Sequence, residues 1–337
     1  MKSRVKPTIR DVAAEAGVSI AAVSNVLNNR GRIGEKARVR ILEASKRLGY
    51  FPNAAGSSLR SRKTDNIGLL FYPSCAKIFN NAFYSEVMTA LEEELTRMNQ
   101  SLLLAGYDIS TQQNELPKFI RSGNVDGAII MGGCPNDFVE RIHEFRNLPL
   151  LLLDTDINSM VIDSITSDSF HAEIRAVQYL AKCGHSNIAF IRYDQNDFNQ
   201  DVREKGVLEG AKQAGLPEPK IIRININHEA YAETCKLIHQ GVTAILAVND
   251  NMGAELVQLA FGNGLRVPED FSLIGFDDSR YAISVSPALT TLRTDKRTLG
   301  TLGVRTLLER IADPDLPARK LILPTEMVER ASVKKLN

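Results

Sequence analysis

The sequence has 337 residues, 44% hydrophobic and 24% charged, which is room for two domains and a globular balance that excludes collagen-like or extensively disordered structure. Leucine-rich runs such as Leu150–Leu153 are far shorter than the ~20 residues that span a bilayer. The opening Met-Lys-Ser-Arg-Val-Lys-Pro reaches no apolar stretch of signal-peptide length, so a cytoplasmic protein without membrane contact is expected. Cys75, Cys134, Cys183 and Cys235 are scattered without a Cys-x-x-Cys pair, and buried thiols are expected instead of disulfides or a zinc site. The net charge of +1 conceals a division: residues 1–63 hold 14 Lys/Arg against four acids, a net +10, which leaves −9 on the rest. A cationic head on an anionic body points to a polyanion-binding module, although an inert basic helical cap has the same charge.

The head reads as three short helices. Thr8-Ile9-Arg10-Asp11 fits a capping box, followed by apolar Val12, Ala13 and Ala16 and a turn at Gly17. Ser19 is placed to cap a second helix to about Leu27, with Val23, Val26 and Leu27 inward. A third helix from about Glu35 puts Ala37, Ile41, Ala44 and Leu48 on one face and ends at Gly49. This is the pattern of a helix-turn-helix over residues 1–51. Residues 52–65 follow as a hinge and linker. Pro52 stops the third helix, Asn53 can cap another, and Gly56, Ser57 and Ser58 leave that helix too weak to form without a docking partner.

From residue 66 to 337 the pattern is strand–helix alternation. Strands are predicted at Ile67–Phe71, Leu102–Ala105, Gly127–Met131, Leu150–Leu153, Ile188–Ile191, Ile221–Ile224, Ala244–Val248 and Ser272–Gly275. Helices fall between them, among them Tyr84–Met98, Ala172–Cys183, Val207–Ala214 and Met252–Gly262. Apolar strands alternating with amphipathic helices define doubly wound parallel α/β sheets, and a segment of this length divides into two lobes. The first lobe is expected at about 66–162 and 293–320, the second at about 163–292 and 321–337. In such folds ligands bind beyond the carboxyl ends of strands.

The run Thr8-Ile9-x-Asp11-Val12-Ala13-x-x-Ala16-Gly17-Val18-Ser19-x-Ala21-x-Val23-Ser24-x-Val26-Leu27-Asn28 strongly resembles the DNA-binding head of the LacI/GalR transcription regulators. So do Tyr50-x-Pro52-Asn53…Leu59, Asp126-Gly127, Gly184-His185, Asn249-Asp250, and Val267-Pro268-Glu269-Asp270…Ile274-Gly275-Phe276-Asp277-Asp278. The likeness runs through nearly the whole chain in the family's order. It implies a homodimer whose heads read a pseudo-palindromic double-stranded DNA operator. It also implies a two-lobed body like a periplasmic sugar-binding protein, closing on a small effector that controls a repressor's affinity for DNA.

In a helix-turn-helix the N-terminal residues of the second helix meet base edges, here Ile20, Ala21 and, one turn on, Asn25. Asn25 stands where family members often carry Arg, and Ala22 where they often carry Thr. Asn pairs bidentately with adenine, and Ile20 and Ala21 suit a thymine methyl, so an A·T-leaning half-site is expected. Thr8, Ser19, Ser24 and Asn28 read as phosphate contacts, with helix capping the alternative for Thr8 and Ser19. The resemblance makes Asn53, Ala55, Gly56 and Leu59 the minor-groove hinge, with Leu59 as a wedge between base steps. Gly56 replaces the family's usual Ala.

For the effector, the resemblance assigns Arg203, Asn249 and Asp277 to ligand hydroxyls and Phe83 and Tyr84 to a sugar face, with Asp168 a weaker candidate. Asn249 and Asp277 would otherwise be helix caps and Phe83 a core residue. With no Trp in the chain, stacking falls to Phe and Tyr. Arg192-Tyr193 replaces a Gly-rich turn that many relatives have. No catalytic residue, metal site or cofactor is expected. Ile67-Gly68-Leu69-Leu70 is neither a dinucleotide nor a Walker fingerprint, no Gly-x-Ser-x-Gly elbow occurs, and the five histidines form no ligand pair.

Overall fold

The computed structural model describes residues 7–27, 33–50, 63–72, 79, 81–107, 115–157, 159–195, 197–224 and 228–336, the side chains of 228–231 apart. Asn28, Asn53, Ala55, Gly56 and Leu59, with Cys75, lie outside them. The chain forms two compact units, Met1–Thr64 and Asp65–Asn337.

In the first unit α1 spans Ile9–Ala16, α2 Ile20–Leu27 and α3 Glu35–Leu48. The Asp11 carboxylate accepts from the Thr8 amide at 2.7 Å and the Thr8 hydroxyl at 2.8 Å, bonds that hold it below the usual carboxylate range. Gly17 ends α1 with φ 62°, in the left-handed region that glycine enters without a Cβ penalty. Two residues later the Ser19 hydroxyl accepts from the Ala22 amide at 3.1 Å and starts α2. The three helices share one core of Val12, Ala13, Ala16, Val23, Val26, Ile41 and Ala44, flanked by half-buried Ile9, Leu27 and Leu48.

The second unit opens with a six-stranded, all-parallel sheet. Its strands are β1 (Asn66–Phe71), β2 (Ser101–Gly106), β3 (Gly127–Met131), β4 (Leu150–Leu153), β5 (Asp163–Ser167) and β11 (Lys320–Leu323), in the order β11-β5-β4-β3-β1-β2. Helices α4 (Ala82–Arg97), α5 (Lys118–Arg121), α6 (Asn136–Glu144) and α12 (Lys296–Ala312) belong to this lobe. Leu91 and Leu95 of α4 and Leu299, Val304 and Leu307 of α12 bury one face with Ile67, Ile129 and Leu151. Leu70, Ile130 and Leu152 turn to the other face and pack with Ile120, Phe138 and Ile142.

The second parallel sheet runs β7-β6-β8-β9, from β6 (Ile188–Tyr193), β7 (Lys220–Ile224), β8 (Ala244–Ala247) and β9 (Ser272–Ile274). Around it lie α7 (Ser169–Lys182), α8 (Phe198–Gln213), α9 (His228–His239), α10 (Asp250–Gly262) and the single turn α11 (Arg280–Ile283). Helices α7 and α8 press together at Gly206, where an added Cβ would lie 2.4 Å from the Phe170 carbonyl oxygen. An antiparallel pair, β10 (Thr291–Thr294) with β12 (Thr325–Val328), accompanies the crossings between lobes.

The sheet pairing moves two of the expected lobe boundaries. Strand β5 bonds to β4 and β11 in the first sheet, so residues 163–167 and 320–323 belong with the first lobe and the chain crosses at Asp168. The reason is local: Asp163-Ser164-Ile165-Thr166-Ser167 has one large apolar residue and gives no strand signal of its own. The expected burial of thiols also needs adjusting. Cys183 is buried, but Cys134 and Cys235 are half-buried, and all three are free. Among the described residues no helix is long and apolar enough to cross a membrane and no cluster of potential ligands could hold a metal.

Candidate functional site

Two surfaces carry the predicted residues. On the head, the first turns of α2 leave Ile20, Ala21 and Asn25 exposed, with Ile20 at 45% exposure. Val23 and Val26 of the same helix are buried. The three residues expected to contact bases therefore share the solvent face of the helix. Thr8 and Ser19 are exposed and engaged as caps, and Ser24 is half-buried.

In the body, a cleft opens at the carboxyl ends of the two sheets and is lined from both lobes. The first lobe contributes Phe83, Tyr84 and Asp154, and the second contributes Tyr193, Gln200, Arg203, Asn249 and Asp277. Five of the six predicted effector residues meet here. Asp168 does not line the cleft: it caps α7, accepting from the His171 amide at 3.4 Å and paired with its Nδ1 at 2.8 Å.

Arg203 organises the second-lobe wall. Its guanidinium donates to the Val248 carbonyl oxygen, donates to Asp277 Oδ1 at 3.2 Å, and lies 3.6 Å above the Phe276 ring. Asp277 has φ 102° and Asp278 φ 48°, an unusual left-handed pair for residues with side chains. The first lobe helps hold that turn, because Lys296 Nζ donates to the Asp277 and Asp278 carbonyl oxygens at 2.7 and 3.1 Å. Burial pushes the Asp277 carboxyl up, with Arg203 and Lys296 opposing.

Asn249 caps α10, accepting from the Met252 amide at 3.0 Å, and also lines the cleft beside the Tyr193 hydroxyl. Asn249 thus caps a helix and lines the cleft at once. Phe83 likewise belongs to the first-lobe core and to the cleft wall. Arg192, in place of a Gly-rich turn, is buried under its loop and donates to Asp201 at 2.8 Å, Glu204 at 2.7 Å and the Gln195 carbonyl oxygen at 3.1 Å. This fixes the start of α8 against β6 and leaves Tyr193 to face the cleft.

Five important lining residues escaped the sequence reading: Asp154, Tyr193, Asp197, Asn199 and Gln200. Asp154 was in principle findable as the first polar residue after Leu150–Leu153. Asn199 and Gln200 are not, because the helical pattern is clear in the sequence only from Val207, whereas the helix starts at Phe198. Asn199 Nδ2 donates across the cleft to the Asp154 carbonyl oxygen at 2.8 Å and to Oδ2 at 2.9 Å. Burial, followed by the nearby charges of Asp277 and Asp197, pushes Asp154 up to about 8 against the lowering effect of Arg203 and the Tyr84 hydrogen bond. Burial likewise raises Glu173 to about 8 and Asp250 to about 7.

These shifts give a pH prediction. An unfolded carboxyl titrates near 4, so the folded state binds these protons more tightly. Their stabilisation is complete below about pH 4 and is lost as pH rises through about 7 to 8. Asp154→Asn should narrow the fall in Tm between about pH 5 and pH 8.5, measured by scanning calorimetry. A fall as steep as in the unsubstituted protein contradicts the assignment.

The comparisons agree with this anatomy. A family model described as bacterial regulatory proteins, lacI family, matches residues 8–53. A second, a periplasmic binding protein-like domain, matches residues 177–333. The HTH-type transcriptional regulator DegA of Bacillus subtilis (strain 168) is 30% identical over 99% of this chain and 100% of its own. Among solved structures, a complex of the transcriptional regulator CelR with cellobiose has TM-score 0.73 and 25% identity, covering 97% of this chain and 99% of its own. A lac repressor dimer bound to operator and an anti-inducer has TM-score 0.84 and 23% identity over 98% and 100% of the two chains, a likeness of fold. A helix-turn-helix head joined to a two-lobed α/β body is the build of a ligand-responsive DNA-binding regulator. The chain belongs to the LacI family of bacterial transcription regulators.

Proposed function

We propose that this protein is a cytoplasmic, homodimeric repressor whose heads bind a pseudo-palindromic operator and whose affinity is set by a small polyhydroxylated effector in the interlobe cleft. The observation that carries the DNA half is the α2 face itself, where an isoleucine at 45% exposure stands beside Ala21 and Asn25 in a segment of net charge +10. Thr8, Ser19, Ser24, Asn28 and the Lys/Arg set serve as phosphate contacts, which fix register without reading sequence. By the family resemblance, Asn53, Ala55, Gly56 and Leu59, which lie outside the described residues, are assigned the minor-groove contacts, with Leu59 as the wedge.

For the effector half, Arg203, Asn249, Asp277, Phe83 and Tyr84 combine donors, acceptors and aromatic faces in the manner that a sugar's hydroxyls and apolar face require. The cellobiose bound by the related CelR supports a carbohydrate. An effector that distinguishes an open from a closed body shifts the hinge equilibrium, with coupling of about 1–3 kcal/mol typical of such control.

The test is duplex binding by fluorescence anisotropy across a salt series. Affinity should fall steeply as salt rises, because each phosphate contact releases counterions, and truncation of Pro52–Leu59 should weaken it. Asn25→Ala should relax preference at one base position of each half-site by about 1–3 kcal/mol. Uniform weakening at every position would move Asn25 from base reading to backbone contact.

A further inference from the structure

The charge inventory of the cleft is lopsided. Among the described residues, three carboxylates line it, Asp154, Asp197 and Asp277, and Arg203 is the one basic residue in that lining. The guanidinium is engaged through its two Nη atoms with Asp277 and the Val248 carbonyl oxygen and lies over the Phe276 ring, while its Nε is buried without a partner. Among the described residues neither Asp154 nor Asp197 has a cationic partner in contact. Asp154 accepts from Asn199 Nδ2 at 2.9 Å and from the Tyr84 hydroxyl, and Asp197 caps α8 by accepting from the Gln200 amide at 3.1 Å.

A second, independent observation marks an unfilled polar position. Gln200 is 5% exposed and lines the cleft. Its Oε1 accepts from the Tyr193 amide at 2.9 Å, while its Nε2 is buried without a partner. A buried donor left unmade is costly, and a ligand hydroxyl is the acceptor that this wall lacks. Tyr84 and Tyr193 add π-faces, which attract cations.

Building on the polyol-binding reading above, we propose that the cleft takes a sugar carrying a protonated amine, its ammonium received by Asp154 and Asp197 and one hydroxyl accepting from Gln200 Nε2. Phosphate- and carboxylate-bearing sugars are excluded, since each would bring a further anion into a cleft that already has a surplus.

The groups facing Asp154 are Tyr84 of α4, Asp197 and Asn199 at the start of α8, Arg203 one turn further on, and Asp277 beyond β9. In the empty cleft a proton on Asp154 relieves their mutual repulsion, consistent with titration near 8. An ammonium supplies that relief instead. Its arrival leaves Asp154 ionised, and the displaced proton passes to the buffer.

The experiment is isothermal titration of the full chain at pH 7 in two buffers of different ionisation enthalpy. The probes are D-glucosamine, D-galactosamine and D-mannosamine, their parent hexoses, their N-acetyl forms and the hexose 6-phosphates. At least one amino sugar should bind about tenfold or more tighter than its parent and its N-acetyl form, with net proton release, and the phosphates should not bind. Asp154→Asn should abolish the proton release. Asp197→Asn, at the half-buried rim and still able to cap α8, should reduce the amine preference several-fold. Neutral hexoses or phosphates that bind as tightly as the amines overturn this inference and leave a polyol cleft standing. Binding by no sugar of any kind overturns the polyol reading as well.

Discussion

Arg203→Leu is expected to destabilise the body by about 3–5 kcal/mol, the usual cost of stranding one member of a buried ion pair. Arg203 is 7% exposed and its partner Asp277 is equally buried. Leucine would leave the Asp277 carboxylate without its strongest compensating charge, the Val248 carbonyl oxygen without a donor, and the Phe276 ring uncovered on that face. Lysine should rescue little, because a point charge cannot lie flat on a ring while bonding in two directions. The sign with pH follows from Asp277. Its titration is already raised by burial and rises further without Arg203, so the folded variant holds that proton to higher pH. The deficit should therefore shrink as pH falls toward 4. Urea unfolding at two pH values, with ligand titration alongside, reads both effects. A loss below about 1 kcal/mol would show that Arg203 is peripheral to the cleft.

Ile41→Ala should remove DNA binding and leave the body intact. Ile41 is fully buried among seven residues that make up the head's core, three of them alanines. Truncating a buried isoleucine costs about 2–5 kcal/mol, and a unit of this size has only a few kcal/mol of stability to lose. The head should unfold, α2 with it, and operator affinity should collapse. The unit Asp65–Asn337 should melt at its usual temperature and bind its ligand unchanged. Persistent sequence-specific binding would mean that DNA recognition does not depend on the three-helix packing. Loss of ligand binding would mean that the two units are not separable.

The head was almost wholly legible in the sequence because its signals are local: a threonine and an aspartate three apart, a glycine at the turn, a serine two residues on, and helix-spaced apolar residues. The eight named strands were legible for a related reason, each containing an apolar run, although β2 and β7 at the sheet edges are only partly covered. Strands β5, β10, β11 and β12 were not. They are polar or half-exposed, as in Lys320-Leu321-Ile322-Leu323, where Ile322 is 65% exposed, and their existence depends on pairing with distant segments.

The cleft divides in the same way. Arg203, Asn249 and Asp277 were reachable through resemblance and through the rule that ligands sit beyond strand ends. Asp154 and Asn199, 45 residues apart in sequence, meet only because the two lobes that carry them face each other. Lobe closure leaves no periodic trace. The aspartate at 168 illustrates the converse case, since the resemblance made it a weaker effector candidate, while its side chain caps the helix that follows it.

Sequence-dependent, two-fold symmetric reading of duplex DNA by α2 is tested by selection from a randomised double-stranded DNA pool with the purified full-length protein, followed by sequencing of the retained fraction. An enriched inverted repeat with A·T-leaning half-sites is expected, lost in the Ile41→Ala protein. A retained pool with no common sequence at low ionic strength, with and without amino sugars present, would contradict it.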